Sequence, residues 1–340
     1  MTGDRPLAVV VDPDAVDQTI AALKREGCYD NDRRIREGNE GGIEIPVTRR
    51  PAEIDVPLVR RQIDPPRRMR DLADYLRERG LSASELDHVP RSWAVIGDLI
   101  VVRFEDCPFE DVVAAGLLDL YGSAHTVLAR EGIDGAHREP AMRVVGGRGE
   151  TETVHREAGI EYALDLAEVM FAPGNERERQ RMGSVVTPGE VVLDMFAGIG
   201  YFSLPMARAG ARVTAIERNP TAFDYLLENR ERNDVIDQLS PIRGDCGEVV
   251  PRLASDGPVA DRIVMGHFDA SAYLPAARTA IRPGGAIHLH AIGHAAQPFA
   301  DAERALERHQ LSVRDRHTVK THGPGTVHVV VEAIATGGAN

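Results

Sequence analysis

The sequence predicts a doubly wound α/β domain that follows a smaller α+β module. From about residue 169 onward, short apolar strands alternate with helical patterns, which is typical of a mostly parallel sheet with helices on both faces. A glycine turn lies between the first of these strands and its helix. Residues 91–168 instead alternate short apolar runs with turns, which indicates a compact α+β module rather than a linker.

Three regions follow from this pattern: an arginine-rich N-terminal region at 1–90, the small module at 91–168 and the regular βα domain at 169–340. Gly, Pro and charged residues crowd positions 33–66, so we expect little regular structure there. A helix is predicted over 68–79, ending at Gly80. The arginine clusters, which include Arg67, Arg68 and Arg70, form either a salt-paired surface or a docking site for tRNA.

Apolar patterns divide the two later regions into elements. In the module, residues 94–102 predict two strands around a Gly-Asp turn, 109–128 predict a helix, and 142–145 and 160–166 predict strands on either side of a glycine-rich turn. In the βα domain the predicted strands are 191–194, 212–217, 240–244, 262–265, 286–291 and 326–334, and the predicted helices are 201–208, 220–233, 272–281 and 300–309.

Composition excludes several classes of protein. The chain has 340 residues, of which 43% are hydrophobic, so it can bury a sizeable core. No run of about 18 apolar residues predicts a membrane span, and the N-terminus lacks the basic start and apolar run of a secretory signal. The three cysteines are far apart and fit neither a metal-ligand spacing nor a disulfide framework. We therefore expect a cytoplasmic protein with no metal site.

The charge balance bears on RNA as a partner. The formal net charge is −13, and Lys24 and Lys320 are the only lysines. An acidic, arginine-biased chain is typical of a salt-rich cytoplasm, although a GC-rich genome also explains the arginine bias. Since the Debye length falls to roughly 3 Å at about 1 M salt, long-range repulsion of nucleic acid fades there. Net charge therefore argues only weakly against an RNA substrate.

The glycine turn at 194–200 (DMFAGIG) lies beyond the carboxyl end of a strand, where open α/β sheets bind their ligands. Gly198 and Gly200 permit a tight turn and a close approach of the backbone to a ligand. Position 203 is Ser, so the G-x-G-x-x-G pattern of a pyrophosphate-binding turn is incomplete.

Acidic residues lie at the ends of the first three strands of this domain: Asp194, Glu217 and Asp245. Glu217 suits the two ribose hydroxyls of a nucleoside, and Asp245 suits an adenine amino group. Carboxylates fit a neutral ribose, an adenine edge and a cationic sulfonium better than they fit phosphates, which favours S-adenosylmethionine. The structural alternative is a glycine turn with helix-capping acids.

The sequence also resembles a known family. The similarity lies in residues 194–202 (DMFAGIGYF), 215–219 (AIERN), 224–229, 146–153, 155–160, 169–182 and 319–328. These segments resemble the class I S-adenosylmethionine-dependent fold of enzymes that modify position 37 of tRNA, and they cover about residues 90–335. That group contains guanine-37 N1-methyltransferases and the aminocarboxypropyl transferases of wybutosine synthesis. The resemblance implies a class I methyltransferase-like sheet, S-adenosylmethionine as a substrate and tRNA as the partner.

The resemblance also implies a set of cofactor-binding residues: Arg179, Asp194, Phe196, Gly198, Gly200, Glu217, Asp245 and Cys246. Arg179 occupies the basic position expected to contact the cofactor, the alternative being an arginine on a helix surface. Cys246 follows Asp245 where the family often has Asn, and Ala172 stands where the family usually has Ser.

Two local features favour transfer of the aminocarboxypropyl group over transfer of a methyl group. Residues 171–182 (FAPGNERERQRM) resemble the transferase pattern F-S-x-G-N-x-x-E-(K/R)-x-R-M. At 265–268 (MGHF) the sequence lacks the N-x-P motif that the related methyltransferases have after this strand. The resemblance then implies that the acceptor is carbon 7 of 4-demethylwyosine at position 37 of tRNA-Phe.

The base that takes the proton from the acceptor carbon is less clearly marked. His267 and Asp269, just after the fourth strand of the βα domain, are the catalytic candidates, although a His beside a strand end is more often structural. Three alternative functions stay open: a guanine-37 N1-methyltransferase, a non-catalytic RNA-binding module, and a nicotinamide-dependent dehydrogenase. The missing third glycine argues against the dehydrogenase. The acidic residues Asp194, Glu217 and Asp245 argue against a non-catalytic RNA-binding module, which would not need a cofactor pocket.

Overall fold

The computed structural model describes residues 6–38, 42–52, 58–61, 71–134 and 139–336. The chain divides into two compact units, Met1–Asp87 and His88–Asn340. Arg67, Arg68 and Arg70 lie outside the described residues. No helix in the described part of the chain is both long and apolar enough to cross a membrane.

The first unit contains an antiparallel sheet with the strand order β2-β3-β1-β4. Its described elements are β1 Leu7–Val11, α1 Val16–Glu26, β2 Arg36–Glu37, β3 Ile43–Val47, β4 Leu58–Arg61, α2 Leu72–Glu78 and α3 Ala83–Leu86. Leu23 of α1 packs against Val9 and Ile45 of the sheet. The expectation of little regular structure over 33–66 is therefore wrong for β2, β3 and β4.

The charged composition hid β2 and β3, where one pair of opposite charges is joined across the two strands. Glu44 is buried in β3, and its carboxylate accepts a hydrogen bond of 2.9 Å from Nε of Arg36 in the neighbouring β2. A paired charge is tolerated at a buried strand position. The predicted helix over 68–79 is confirmed from Leu72 onward, where Asp71 caps α2.

In the second unit, a mixed sheet with the order β5-β6-β7-β8 carries helix α4. These elements are β5 Trp93–Ile96, β6 Leu99–Val102, α4 Glu110–Leu120, β7 Thr126–Asp134 and β8 Glu139–Gly147. The helix predicted over 109–128 ends eight residues early, because Val127 and Leu128 pair with β6 in parallel register. A hairpin follows, made of β9 Glu152–Glu157 and β10 Ile160–Asp165.

The predicted doubly wound sheet is confirmed. In residues 191–335, which are all described, seven strands take the order β13-β12-β11-β14-β15-β17-β16, parallel up to β15 and antiparallel in the last two. The elements are α5 Glu176–Val185, β11 Val191–Asp194, α6 Ser203–Arg208, β12 Arg212–Glu217, α7 Pro220–Arg232, β13 Leu239–Arg243, α8 Cys246–Leu253, β14 Ala260–Met265, α9 Leu274–Ala280, β15 Ile281–His294, α10 Ala300–Arg308, β16 Leu311–Gly323 and β17 Thr326–Ala335.

Several elements of this domain differ from the sequence prediction. Strand β15 begins at Ile281, five residues before the predicted strand over 286–291, and residues 283–285 (Pro-Gly-Gly) form an irregular part of it, where the register with β14 shifts. Strand β16 and helix α8 were not predicted, since β16 alternates charged and polar residues at the sheet edge and α8 contains Pro251.

The sheet separates two hydrophobic cores. Val192 and Val264 face one core, and Leu193 and Ile263 face the other, because successive side chains of a strand point to opposite faces. Leu128 of β7 shares the first core with the sheet. The boundary near residue 168 between the small module and the sheet domain stays a prediction.

Candidate active site

The glycine turn after β11 needs its glycines for geometric reasons. Gly198 has φ +56° and Gly200 has φ +105°, a region that side-chain-bearing residues rarely adopt. A Cβ atom at Gly200 would also lie 2.7 Å from Cγ of Leu204. The tight turn predicted at these glycines is present, and it brings backbone N–H groups to the carboxyl edge of the sheet.

Asp194 lies beneath this turn rather than facing a ligand. Its side chain has no exposed surface, and its carboxylate accepts hydrogen bonds from Ser203 Oγ at 2.7 Å and from the Phe196 N–H at 3.3 Å. Burial raises the pKa of Asp194 to about 6 despite these donors. Asp194 thus holds the turn in place, and the predicted direct contact with a cofactor is not supported by its position.

Glu217, at the end of β12, joins two loops. One carboxylate oxygen accepts a hydrogen bond of 2.7 Å from the Gly198 N–H, and the other accepts one of 2.7 Å from the Asn219 N–H. The side chain lines a cavity of the second unit. Each carboxylate oxygen has a second lone pair, which is available to a hydroxyl in that cavity.

The third strand end carries Asp245 and Cys246. Asp245 caps α8 by accepting a hydrogen bond of 2.7 Å from the Gly247 N–H, and it lies 3.6 Å from Arg218 Nη1. Cys246 is buried beside the cavity, and burial raises the pKa of its thiol to about 12. Its thiol is therefore neutral and contributes shape rather than reactivity.

An aromatic slot lies between these strand ends and β14. The rings of Phe196 and His267 stack with centroids 5.4 Å apart at 26°, and Tyr273 meets Phe196 edge-on at 5.3 Å. His267 Nδ1 accepts a hydrogen bond of 3.1 Å from the Asp269 N–H, while the Asp269 carboxylate is largely exposed. The structure brings both predicted catalytic residues to the cavity wall.

We call the group formed by Phe196, Gly198, Glu217, Asp245 and Cys246 the loop wall. The cavity, of about 1010 Å³, extends from this group to the residues beyond β14. Volumes of about 300–1,000 Å³ are common for ligand pockets, so the space accommodates a nucleoside together with a second planar group. The opposite side, which we call the distal wall, contains Arg179, His290, Lys320 and His328.

Arg179 of α5 is buried and bound to Glu157 of β9. Its Nε and Nη2 atoms donate to the two Glu157 oxygens at 2.6 and 2.7 Å, and Nη1 donates to the Ala172 carbonyl at 3.0 Å. Burial raises the pKa of Glu157, but hydrogen bonds from His155 and Arg179 outweigh it and hold that pKa below its usual value. Sequence reasoning identified Arg179 but not Glu157, which lies in a separate hairpin.

Three further residues of the distal wall were not predicted. Lys320, on β16, is half-buried, and its pKa is lowered by burial first and then by Arg179 and Arg130. His290 of β15 and His328 of β17 are buried, with His290 Nδ1 and His328 Nε2 3.0 Å apart. Histidines within two otherwise apolar strands were the available sequence signal. No cluster of metal-ligating side chains occurs among the described residues.

The fold and this cavity define an α/β transferase of the class I methyltransferase-like type. The model of the TRM5/TYW2 methyltransferase domain matches residues 153–317, and that of the TYW2 N-terminal domain matches residues 72–151. The chain therefore belongs to the TRM5/TYW2 family, on its TYW2 branch.

Individual relatives agree with this assignment. The tRNA(Phe) (4-demethylwyosine(37)-C(7)) aminocarboxypropyltransferase of Pyrococcus horikoshii is 36% identical over 72% of this chain and 89% of its own length. The structure of P. horikoshii TYW2 in complex with MeSAdo matches with a TM-score of 0.63 and 32% identity, covering 77% of this chain and 97% of the other. Trm5b from Pyrococcus abyssi matches with a TM-score of 0.70 and 27% identity, covering 97% and 99%.

Proposed function

We propose that this protein transfers the 3-amino-3-carboxypropyl group of S-adenosylmethionine to carbon 7 of 4-demethylwyosine at position 37 of tRNA-Phe. The observation that carries this function is the end of β14, together with the names of the TYW2 relatives. There the chain offers the backbone of Gly266 in place of an amide side chain, and a Cβ atom at this position would lie 2.8 Å from the Phe202 ring.

The loop wall is the proposed site for the nucleoside part of S-adenosylmethionine. Glu217 accepts hydrogen bonds from the ribose hydroxyls with the lone pairs that its backbone partners leave available. Phe196, stacked with His267, packs against the adenine, and Asp245 and Cys246 border its edge. Asp194 does not contact the nucleoside in this proposal but holds the backbone of the glycine turn in place.

The distal wall is positively charged near α5 and β16. Arg179 and Lys320 both line the cavity, and the ammonium of Lys320 would lie 3.3 Å from a Cβ atom at Gly174. We assign these two cations to the carboxylate of the methionyl arm, since a buried carboxylate needs a paired charge. Arg179 is already fixed by Glu157, so its guanidinium is preorganised for this role.

The transfer makes modest chemical demands on the chain. When bound, S-adenosylmethionine supplies an electrophilic γ-carbon and leaves as methylthioadenosine. A carbon–carbon bond forms at carbon 7, the carbon–sulfur bond breaks with its electron pair going to sulfur, and carbon 7 then loses its proton. His267 and Asp269 are the proposed acceptors of that proton. Alignment of the two reactants supplies up to roughly 7–11 kcal/mol of the barrier reduction.

Mass spectrometry of the small-molecule product tests this function. The full chain is incubated in high salt with S-adenosylmethionine and tRNA-Phe that carries 4-demethylwyosine. We expect methylthioadenosine and a matching gain of mass on the base. A parallel incubation with tRNA-Phe that carries guanine at position 37 tests the alternative that Trm5b represents: S-adenosylhomocysteine and a methylated guanine in this reaction, with no methylthioadenosine in the first, would identify a guanine-37 N1-methyltransferase.

Binding of the tRNA anticodon region in the cytoplasm is part of the same proposal. The arginines at 67, 68 and 70 are the candidate contacts to the tRNA body. Reversing these three charges should weaken tRNA binding and flatten its salt dependence, because each phosphate contact releases counterions. An unchanged affinity and salt slope for the triple Arg→Glu variant would exclude these arginines from the interface.

A further inference from the structure

The two buried histidines of the distal wall form a hydrogen-bonded pair with unusual properties. His290 Nδ1 and His328 Nε2 lie 3.0 Å apart, and each side chain is almost completely buried. The other ring nitrogens, His290 Nε2 and His328 Nδ1, are buried and have no hydrogen-bond partner among the described residues. Buried polar atoms in proteins are rarely left in this condition.

Both imidazoles are neutral. Burial is the largest influence on each ring, and it lowers the pKa of His290 to about 4 and that of His328 to about 3. A neutral imidazole has one N–H donor and one acceptor nitrogen. If either ring donates to the other, the pair is left with one outer N–H and one outer acceptor nitrogen, whichever tautomer is present. The pair therefore offers a matched donor and acceptor.

The position of the pair separates it from the nucleoside site. In the sheet order, β11, β12 and β13 carry the loop wall on one side of β14, while β15 and β17 carry the histidines on the other side. His290 is one residue beyond the position paired with the last residue of β14. The pair thus faces the part of the cavity that the nucleoside does not occupy.

Aromatic rings surround the pair. Phe202 packs on His290 with ring centroids 4.9 Å apart, and Phe268 packs edge-on against His328 at 5.0 Å. Phe268 belongs to the turn that follows β14. A neutral, aromatic surface with one donor and one acceptor is complementary to a planar heterocyclic base, which is commonly read in a pocket through its polar edge and its faces.

We propose that the His290–His328 pair recognises the polar edge of the tricyclic target base and selects it over an unmodified guanine. This inference rests on the proposed function and adds a specificity determinant to it. Entry of the base displaces the Phe268 ring, and the outer nitrogens then hydrogen-bond to the base. The methionyl arm is the poorer occupant of the pair itself, since it is a zwitterion and both rings are neutral. Lys320, a cation suited to that arm, lies opposite His328 in the register of β16 and β17, so the test also measures the affinity for S-adenosylmethionine.

The geometry allows the outer nitrogens to be removed while the bond within the pair is kept. In His290→Asn the amide replaces Nδ1, which bonds His328, and the outer Nε2 is lost. In His328→Gln the amide replaces Nε2, which bonds His290, and the outer Nδ1 is lost. The matched control is His288→Asn, two residues earlier on the same face of β15, because His288 bonds Arg262 and Arg181 and does not line the cavity.

The experiment measures tRNA-Phe affinity with either 4-demethylwyosine or guanine at position 37, alongside S-adenosylmethionine affinity and thermal unfolding. We expect the two pair variants to lose about 10- to 100-fold of the preference for the tricyclic base, the usual effect of unpairing one or two buried hydrogen bonds. Their S-adenosylmethionine affinity should stay within about twofold, and His288→Asn should keep the preference.

Three results would overturn the proposal. Folded variants that keep the full preference show that the pair does not read the base. A parallel loss of S-adenosylmethionine affinity places the methionyl arm, not the base, against the pair. An unmutated chain without any preference removes the inference, and the formation or absence of methylthioadenosine in the product assay then decides the proposed function separately.

Discussion

The two walls of the cavity differ in the chemical groups that form them. The loop wall consists of backbone N–H groups and carboxylates at the ends of adjacent parallel strands, and its internal hydrogen bonds run from backbone N–H groups to a carboxylate, as from Gly198 and Asn219 to Glu217. The distal wall consists of side chains that pair with side chains of other elements, such as Arg179 with Glu157 and His290 with His328.

This difference teaches how one fold supports different transfers. In the proposed function the loop wall binds the common nucleoside, and its geometry depends on glycine conformation and a few local carboxylates. The proposal gives the distal wall the choice of which carbon of the methionyl arm meets which acceptor, and the residues of this wall come from separate elements. We therefore expect loop-wall substitutions to change cofactor affinity, and distal-wall substitutions to change stability or the choice of acceptor.

The largest expected effect is on the distal wall. Arg179→Met leaves the Glu157 carboxylate buried without its bidentate partner, which should lower the free energy of unfolding by about 3–5 kcal/mol. Urea unfolding of the full chain measures this. Arg252→Met is the control, since it breaks an exposed pair with Glu248 and should cost less than about 1 kcal/mol. Equal losses in both variants would refute a structural role for the buried pair.

A second test measures how stability depends on pH through Asp194, which lies beneath the glycine turn. The pKa of Asp194 in the folded chain, about 6, exceeds the ordinary aspartate value of 3.8 because the carboxyl group is buried. The stabilising effect of its neutral form is therefore complete below about pH 4 and lost as pH rises through 6. A difference of about two pKa units corresponds to roughly 3 kcal/mol. Asp194→Asn should therefore gain stability relative to the unmutated protein between pH 4 and 7, as followed by thermal unfolding. A difference that stays constant over this range would contradict the raised pKa.

The third test separates the walls by ligand. Glu217→Ala removes the carboxylate that joins the glycine turn to the next loop, and affinity for S-adenosylmethionine should fall about 100-fold, as for loss of one or two charge-assisted hydrogen bonds. Calorimetry measures the affinity. Glu217→Gln, which keeps one acceptor, should lose less. If affinity is unchanged in Glu217→Ala, the ribose assignment is wrong.

The smallest effect is expected at the aromatic slot. Phe196→Leu keeps apolar volume but removes the ring stacked with His267. The affinity for S-adenosylmethionine should fall about 3- to 10-fold, since an aromatic pair contributes roughly 0.5–1.5 kcal/mol beyond its buried area. The same variant should keep its preference for the target base. A loss of that preference without a loss of cofactor affinity would reverse the assignment of the two walls.

Much of the loop wall could be predicted from the sequence because it is local. A strand, a glycine turn and a helix follow one another within 191–208, and the carboxyl ends of parallel strands meet at one edge whatever lies between them. Asp194, Glu217 and Asp245 were found in this way, as was the stretch around Gly198 and Gly200. The sequence did not show that Asp194 is covered by the turn it supports, since burial depends on how Ser203 and Phe196 pack above it.

The sequence alone predicted the doubly wound sheet, the glycine turn and the family resemblance. These features depend on short-range periodicity and on contiguous motifs. Tertiary structure decided three other features: the partners of Arg179, the contact between His290 and His328, and the approach of Lys320 to the cavity. Arg179 lies 22 positions from its partner Glu157, and His290 lies 38 positions from His328. Lys320 reaches the cavity from the edge strand β16. No local pattern encodes such a contact, because it forms only after the strands and helices have taken their places in the sheet.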